Sequence, residues 1–325
     1  MPNDLALRLL VNPPDMEADI GVDFLVRCFG ESWNPVSYHW YLKREFHGEA
    51  PDRLVLAEGR QAPAGDVTAP AAPVLATAGI AYRQLQTPDG TIHRVGIMVA
   101  ACVPPREQGR GRFSRLWRSA VNYCATRDCT ALLGFVTADN ASCLILRRAR
   151  AVQIPSSYVI SDGPPPESSA VTPEVTDVAY DAWRDYAEGA LEAQCSTAVA
   201  GFRYPDVNAW RSQFIDRPHP VELLRVGDTS RAIVERVDKT DRLQWLDGDS
   251  EDQDVALAAL VERARRTRRR FFMYSMTAPP VSLLRDCGLK ARPGFMMAMA
   301  TRAEHEPVVR GWARLPWRVQ SGDRL

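Results

Sequence analysis

The chain has 325 residues, with 40 basic and 40 acidic side chains, 46% hydrophobic residues and 8% aromatics. That length supports roughly two domains, each able to bury a core, and excludes a disordered chain, a collagen-like repeat and a disulfide-stapled miniprotein. A formal net charge of zero gives the molecule as a whole no pull towards nucleic acid or anionic lipid.

The longest apolar run near the middle, Ile97 to Val103, is far short of the roughly 20 residues of a membrane-spanning helix. The opening MPNDLALRLLVNPPD carries an acidic residue before its short apolar run and no basic leader, so a cytoplasmic protein is expected. The seven cysteines, Cys28, Cys102, Cys124, Cys129, Cys143, Cys195 and Cys287, form no C-x-x-C pair and read as free thiols. With five dispersed histidines, no metal-ligand pattern emerges.

Leu5 to Val11 reads as a strand closed by Asn12-Pro13-Pro14, and Glu17 to Phe29 as a helix with Ile20, Phe24 and Cys28 on one stripe. The Trp/Tyr/His-rich segment that follows has no clean period; aromatics at that density cap a core or line a pocket. Arg53 to Glu58 and Val74 to Arg83 are expected strands, joined by an Ala/Pro/Gly surface loop. After the Asp89-Gly90 turn, Ile92 to Val103 is the longest apolar strand, ending in Val103-Pro104-Pro105.

From Phe113, apolar side chains recur at Leu116, Trp117, Ala120, Val121 and Cys124, one face of a helix, with Arg112, Arg115 and Arg118 mainly off it. Ala131 to Thr137 then reads as a buried strand, Asp139 or Asn140 as the cap of a helix to about Arg150, and Gln153 to Ile160 as a strand. The linker signal Ser161-Asp162-Gly163-Pro164-Pro165-Pro166 divides the chain into a first domain, 1–162, a linker and connecting helix, 163–199, and a second domain, 200–325.

The second half offers a helical region at Val178 to Ala193, strands at Val221 to Val226 and Ala232 to Val237, and a helix at Asp254 to Arg266 with Leu257, Leu260, Val261 and Ala264 inward. Phe271 to Met276 is a strand, Ser282 to Cys287 a short helix stopped by Gly288, and Phe295 to Ala300 a strand expected to close the sheet. An echo links the halves: TADNASCL at 137–144 and TAPPVSLL at 277–284 share Thr, Ala, Ser and Leu in register, 140 residues apart. The matching order of elements around them points to duplication.

The sharpest chemical signal is Gln108-Gly109-Arg110-Gly111-Arg112-Phe113. Two glycines permit a tight turn and close approach of a ligand to the backbone, and the helix they open presents unpaired amides at its positive end. Arg106, Arg110, Arg112 and Arg115 add cationic character, which suits a polyphosphate. The segment lacks the terminal Lys-Ser/Thr of the phosphate loop and the place of a three-glycine dinucleotide fingerprint, so ATP and NAD fall behind another phosphorylated cofactor.

The block from Val103 to Val152 resembles the coenzyme A-binding core of the GCN5-related N-acetyltransferase superfamily. Val103 and Pro105 match its V-x-P, and Gln108 and Gly111 its R/Q-x-x-G-x-G/A, with Phe113 in the final small position. The resemblance implies an α/β fold with a GNAT-like mixed central sheet and flanking helices, followed by a second, degenerate GNAT-like domain that completes the acceptor cleft. It implies that the amides of Gln108, Gly109, Arg110, Gly111, Arg112 and Phe113 hold the pyrophosphate of acetyl-CoA or another acyl-CoA. Ala101 and Val103 would bond the pantetheine arm through their backbone, and Asn140 would face it near the thioester.

The chemistry implied is attack of a small-molecule amine on the thioester, which needs a route for the amine proton and an acid for the thiolate. Where many family members carry a tyrosine acid, this chain has Arg147, a group that cannot readily protonate a thiolate near neutral pH. Tyr158, Tyr123, Cys124 and Cys143 are substitutes. Met98 and Ala100 stand where a central-strand glutamate base is typical, leaving His93, the His39, Tyr38, Trp40 and Glu45 segment, or the terminal carboxylate of Leu325. A noncatalytic acyl-CoA sensor or scaffold is the rival expectation. The six arginines between 263 and 270 read as a solvated helix end, with RNA contact as the weaker alternative.

Overall fold

The computed structural model describes residues 7–13, 18–30, 33–59, 73–161, 173–196, 198–248 and 250–324. The first half runs β1 (Leu7–Val11), α1 (Ala18–Phe29), α2 (Pro35–Leu42), β2 (Asp52–Glu58), β3 (Val74–Gln86), β4 (Ile92–Cys102), α3 (Arg112–Thr126), β5 (Ala131–Thr137), α4 (Ala141–Arg148) and β6 (Val152–Ser161). The second half repeats the series as β7 (Val175–Val178), α5 (Trp183–Ser196), a short extra strand β8 (Gly201–Arg203), α6 (Val207–Phe214), β9 (Val221–Val226), β10 (Ser230–Val237), β11 (Thr240–Leu246), α7 (Ser250–Arg266), β12 (Arg270–Ser275), α8 (Val281–Asp286) and β13 (Leu289–Ala300). A last helix, α9 (Glu306–Gly311), precedes the C-terminal tail. The sequence echo falls on β5 with α4 and on β12 with α8, corresponding places in two units of one plan.

The strands form one sheet in the order β1-β2-β3-β4-β5-β13-β6-β12-β11-β10-β9-β7, with β8 pairing β3. The last strands of the two units are exchanged: β13 lies between β5 and β6, antiparallel to both, and β6 lies between β13 and β12. Phe295 to Ala300 therefore does not close the sheet but occupies its middle. Met296, Met297 and Ala298 are all fully buried, which suits a strand covered on both faces.

On one face, Leu116, Trp117, Ala120, Val121 and Cys124 of α3 pack against Leu54, Ile80, Leu132 and Met297, as the helical period required. Leu257, Leu260, Val261 and Ala264 of α7 do the same in the second unit. On the opposite face a single core spans both units, from Phe24, Leu25 and Tyr38 to Trp210, Phe214 and Trp245. Each such side chain contributes about 1.5–3 kcal/mol by burial, so the units are stabilised together. Among the described residues, no helix is long and apolar enough to cross a membrane.

Three local readings change. Ile20 is 54% exposed, because α1 turns Gly21, Phe24 and Leu25 inward instead. The irregular aromatic segment contains α2, started by Asn34, whose Oδ1 accepts from the Ser37 amide at 2.9 Å. Its buried Tyr38, Trp40 and Leu42 fall two residues apart, which hides the helical period. Strand β11 shows no strand pattern in sequence, because Asp241 and Gln244 are buried polar residues within it.

Candidate active site

Strands β4 and β5 pair in parallel only at Val95 with Ala131, Gly96 with Leu132 and Ile97 with Leu133. Both continue beyond those pairs, to Cys102 and Thr137, so a wedge opens between them. The cause is a bulge: the β3–β4 register shifts between Thr77 and Gly79, opposite Ala100, which adopts a left-handed φ of 47°. Such a conformation costs an alanine about 1–2 kcal/mol. At the base of the wedge, a Cβ on Gly96 would stand 2.7 Å from Cys124 Sγ, so glycine lets α3 seat against β4.

Beyond β4, a single 3-10 turn at Pro105–Glu107 leads into the glycine segment. Gly109 and Gly111 have φ of 75° and 72°, and a Cβ on either would meet no atom within 4 Å. Gly111 is the N-cap of α3 and no side chain caps that end, so the first-turn amides are left without a side-chain partner at the positive end of the helix dipole. Gln108 Nε2 donates to the Val103 carbonyl at 3.1 Å and fastens the turn to the strand end. Glu107, nearly buried, pairs with Arg112 Nε at 3.3 Å and with Arg110 at 3.6 Å. Arg115 donates to the Leu7 carbonyl, while Arg106 is exposed. Phe113, like Met98, Ala101 and Val103, is partly buried against the core on the α3 face of the sheet.

Asn140 caps α4: its Oδ1 accepts from the Ser142 amide at 2.9 Å and the Ser142 hydroxyl at 2.7 Å. Arg147 lies exposed in the last turn of the same helix. Tyr158 on β6 reaches the wedge region through an aromatic series. Phe135, on the diverging part of β5, stacks edge-on with Tyr274 at 5.6 Å, and Tyr274 with Tyr158 at 5.2 Å. The Arg324 guanidinium covers both tyrosines, at 5.1 Å from Tyr158 and 4.4 Å from Tyr274. Burial pushes the Tyr158 phenol above its ordinary pKa, and Arg324 opposes that rise. A Cβ on Gly294 would stand 2.3 Å from the Tyr158 ring, so β13 needs glycine where this ring crosses it.

The other candidates are not brought to the wedge. His93 packs against Trp312 at 5.4 Å, its pKa lowered by burial; at about 3.3 Å per residue, the strand carries it roughly 20 Å from Val99. Tyr123, Cys124 and Cys143 lie on the α3 face, where burial and the bond to Asp52 push the Tyr123 phenol up to about 12. Tyr38 and Trp40 are core residues, whereas His39 and Glu45 are exposed. Leu325 and the Cys195 side chain lie outside the described residues; Cys28, Cys102, Cys124, Cys129, Cys143 and Cys287 are free thiols. Tyr274 and Arg324 join the sequence candidates; the aromatic run Phe271-Phe272-Met273-Tyr274 is the sequence signal for the first, and Arg324 has none.

Of the six clustered arginines, Arg263, Arg265, Arg266 and Arg269 form ion pairs with Asp177, Glu222, Asp241 or Glu262, so their charge is largely spent within the fold. No group of metal-ligating side chains occurs among the described residues.

No family model and no curated protein matches the chain. Solved structures do. A GCN5-related N-acetyltransferase from Anabaena variabilis aligns with a TM-score of 0.59 at 13% identity, covering 92% of this chain and 74% of that one. One from Kribbella flavida gives 0.57 at 16%, covering 92% and 73%. A tandem GNAT protein from the clavulanic acid biosynthesis pathway gives 0.59 at 12%, covering 91% and 99%. The chain has the mixed α/β fold of the GCN5-related N-acetyltransferases, built as two GNAT-like units that share one sheet.

Proposed function

We propose that the protein is an acyl-CoA-dependent N-acyltransferase, using acetyl-CoA or a related acyl-CoA and acting on a primary amine of a small molecule such as an amino sugar, amino acid or specialised metabolite. The observation that carries this reading is the open, uncapped glycine start of α3 directly beyond the β4–β5 wedge. The two features suit the two parts of one ligand: amides for a diphosphate, and a slot between strands for an extended arm. Acyl-CoA supplies the activated acyl group there.

In this reading the amides from Gln108 to Phe113 bind the diphosphate, with Arg110 and Arg112 oriented by Glu107. The backbone of Ala101 and Val103, with Asn140 at the head of α4, borders the arm. Tyr158 is the proton donor for the departing thiolate, because a phenol held above its ordinary pKa stays protonated at neutral pH. Arg324 lies over that ring and orients it, while His93 packs against Trp312 near the start of β4, away from it. The first unit, within 1–162, holds the cofactor, and the second, which opens with β7, completes the acceptor cleft.

Only one cofactor site per chain is proposed. The corresponding helix of the second unit opens on Asp247-Gly248-Asp249-Ser250-Glu251-Asp252, which reverses the sign of charge, and Pro280 stands where Asn140 stands in the first.

The test is thiol release from acetyl-CoA with a panel of amino sugars, amino acids and polyamines, comparing wild type with Tyr158→Phe. Turnover with at least one amine, reduced in the variant, supports the reading. CoA binding without turnover for any amine favours the noncatalytic sensor, for which Arg147 in place of a tyrosine is the motivating feature.

A further inference from the structure

The second unit has its own wedge, and the chain's C-terminal tail fills it. Strands β11 and β12 pair in parallel only at Thr240 with Arg270, Asp241 with Phe271 and Arg242 with Phe272, then run apart to Leu246 and Ser275. The tail enters the gap with Gln320 bridged antiparallel to Ser275. The Leu246 amide donates to Gln320 Oε1 at 2.6 Å, and Gln320 Nε2 donates to the Leu246 carbonyl at 3.1 Å. From the other wall, the Tyr274 amide donates to Ser321 Oγ at 2.7 Å.

One carboxamide thus satisfies both backbone groups of a strand that has lost its neighbour, which an unpaired buried strand edge requires. Leu246 stands four residues past the last paired residue of β11, as Ala101 stands four past Ile97 in β4. The tail is fitted to the slot. A Cβ on Gly322 would lie 3.0 Å from the Gln244 carbonyl and 2.4 Å from the Phe214 ring, and the Gly322 carbonyl accepts from Gln213 Nε2 at 2.5 Å. Asp323 closes the turn, accepting from the Gln320 amide at 2.7 Å and the Tyr204 hydroxyl at 2.5 Å.

We infer that the second wedge is a cleft for an amide-bearing chain of the pantetheine type, and that its resident occupant is the protein's own segment Gln320–Arg324, with the Gln320 carboxamide in the place of a ligand amide. The inference rests on the acyl-CoA reading only for the comparison with Ala101. A residual gap beside the tail, lined by Leu243, Met273, Tyr274 and Trp317, gives an extended ligand a route in when the tail is released. The acidic start of α7 admits pantetheine and repels the diphosphate of CoA.

Amide hydrogen exchange on the full chain tests this, in wild type and in the double variant Gln320→Ala/Ser321→Ala, with pantetheine and CoA as separate probes. In wild type the Leu246 and Tyr274 amides are protected and neither probe changes them. In the double variant their exchange rises by about tenfold or more, and pantetheine, but not CoA, slows it again. Unchanged exchange in a folded variant, no response to pantetheine, or CoA protection of Leu246 in wild type would overturn the inference.

Should the double variant fail to fold, Gln320→Glu serves. A protonated carboxyl both donates and accepts as the amide does, so Leu246 protection persists at acid pH and falls as the glutamate ionises, by more than the change Asp323 gives the wild type over the same range; a pH dependence no greater than that of wild type contradicts the assignment. Failure of CoA to protect any part of the first unit would remove the acyltransferase reading and leave the Leu246 result standing.

Discussion

Arg83 Nη2, in the first unit, donates to Gln213 Oε1, in the second, at 2.9 Å. The same oxygen accepts from Arg44 Nη2 at 3.0 Å, while Gln213 Nε2 holds the tail at Gly322. One fully buried amide therefore joins both units and the tail. Burial is the main cause that brings the Arg83 pKa down to about 10 and that of Arg44 to about 9. Gln213→Leu is expected to cost about 2–4 kcal/mol in denaturant unfolding, since it strips acceptors from two buried cations. Gln213→Glu restores an acceptor and should unfold later than the leucine variant.

Asp323 gives the tail a pH dependence. Burial raises its pKa from 3.8 to about 6, against the bonds from Gln320 and Tyr204. A raised carboxyl favours the folded state below its unfolded pKa and loses that contribution as pH rises through the folded value. Stability should therefore fall between about pH 4 and pH 6 by up to about 3 kcal/mol from this group. Asp323→Asn should flatten that step in a pH series of thermal unfolding.

Gly294→Ala should separate binding from chemistry. The added Cβ would stand 2.3 Å from the Tyr158 ring and 2.9 Å from the Val136 carbonyl, so the ring must move. Displacing the proposed proton donor should reduce kcat by about 10- to 100-fold, a larger change than any in the Kd for CoA.

How far the sequence carried is clear from particular residues. Trp117 and Leu260 were placed inward by period alone, and each is buried because a one-sided helix has a single way to pack. Gly111 was legible because only a glycine-assisted turn explains that spacing before a helix. What could not be read was long-range: nothing local to Met297 says that its strand leaves its own unit to lie beside β5, and nothing local to Gln320 says that it reaches Leu246. The distance of His93 from the wedge is hidden for the same reason, since strand position is visible in sequence but the end at which β4 and β5 separate is not.

Glu107 holds two arginines beside the proposed diphosphate site. Glu107→Gln frees both guanidiniums and should tighten CoA binding two- to fivefold at low salt, about 0.5–1 kcal/mol. Arg112→Ala should weaken it, and both effects should shrink as salt is raised.

The most direct measurement is calorimetric titration of the full chain with acetyl-CoA, CoA and ATP, in wild type and in Gly111→Val, which places a branched side chain at a φ of 72° at the head of α3. The account predicts one site per chain for acetyl-CoA and CoA, none for ATP, and loss of binding in the variant. Indifference to CoA, two equivalent sites, or binding undiminished by Gly111→Val would contradict it.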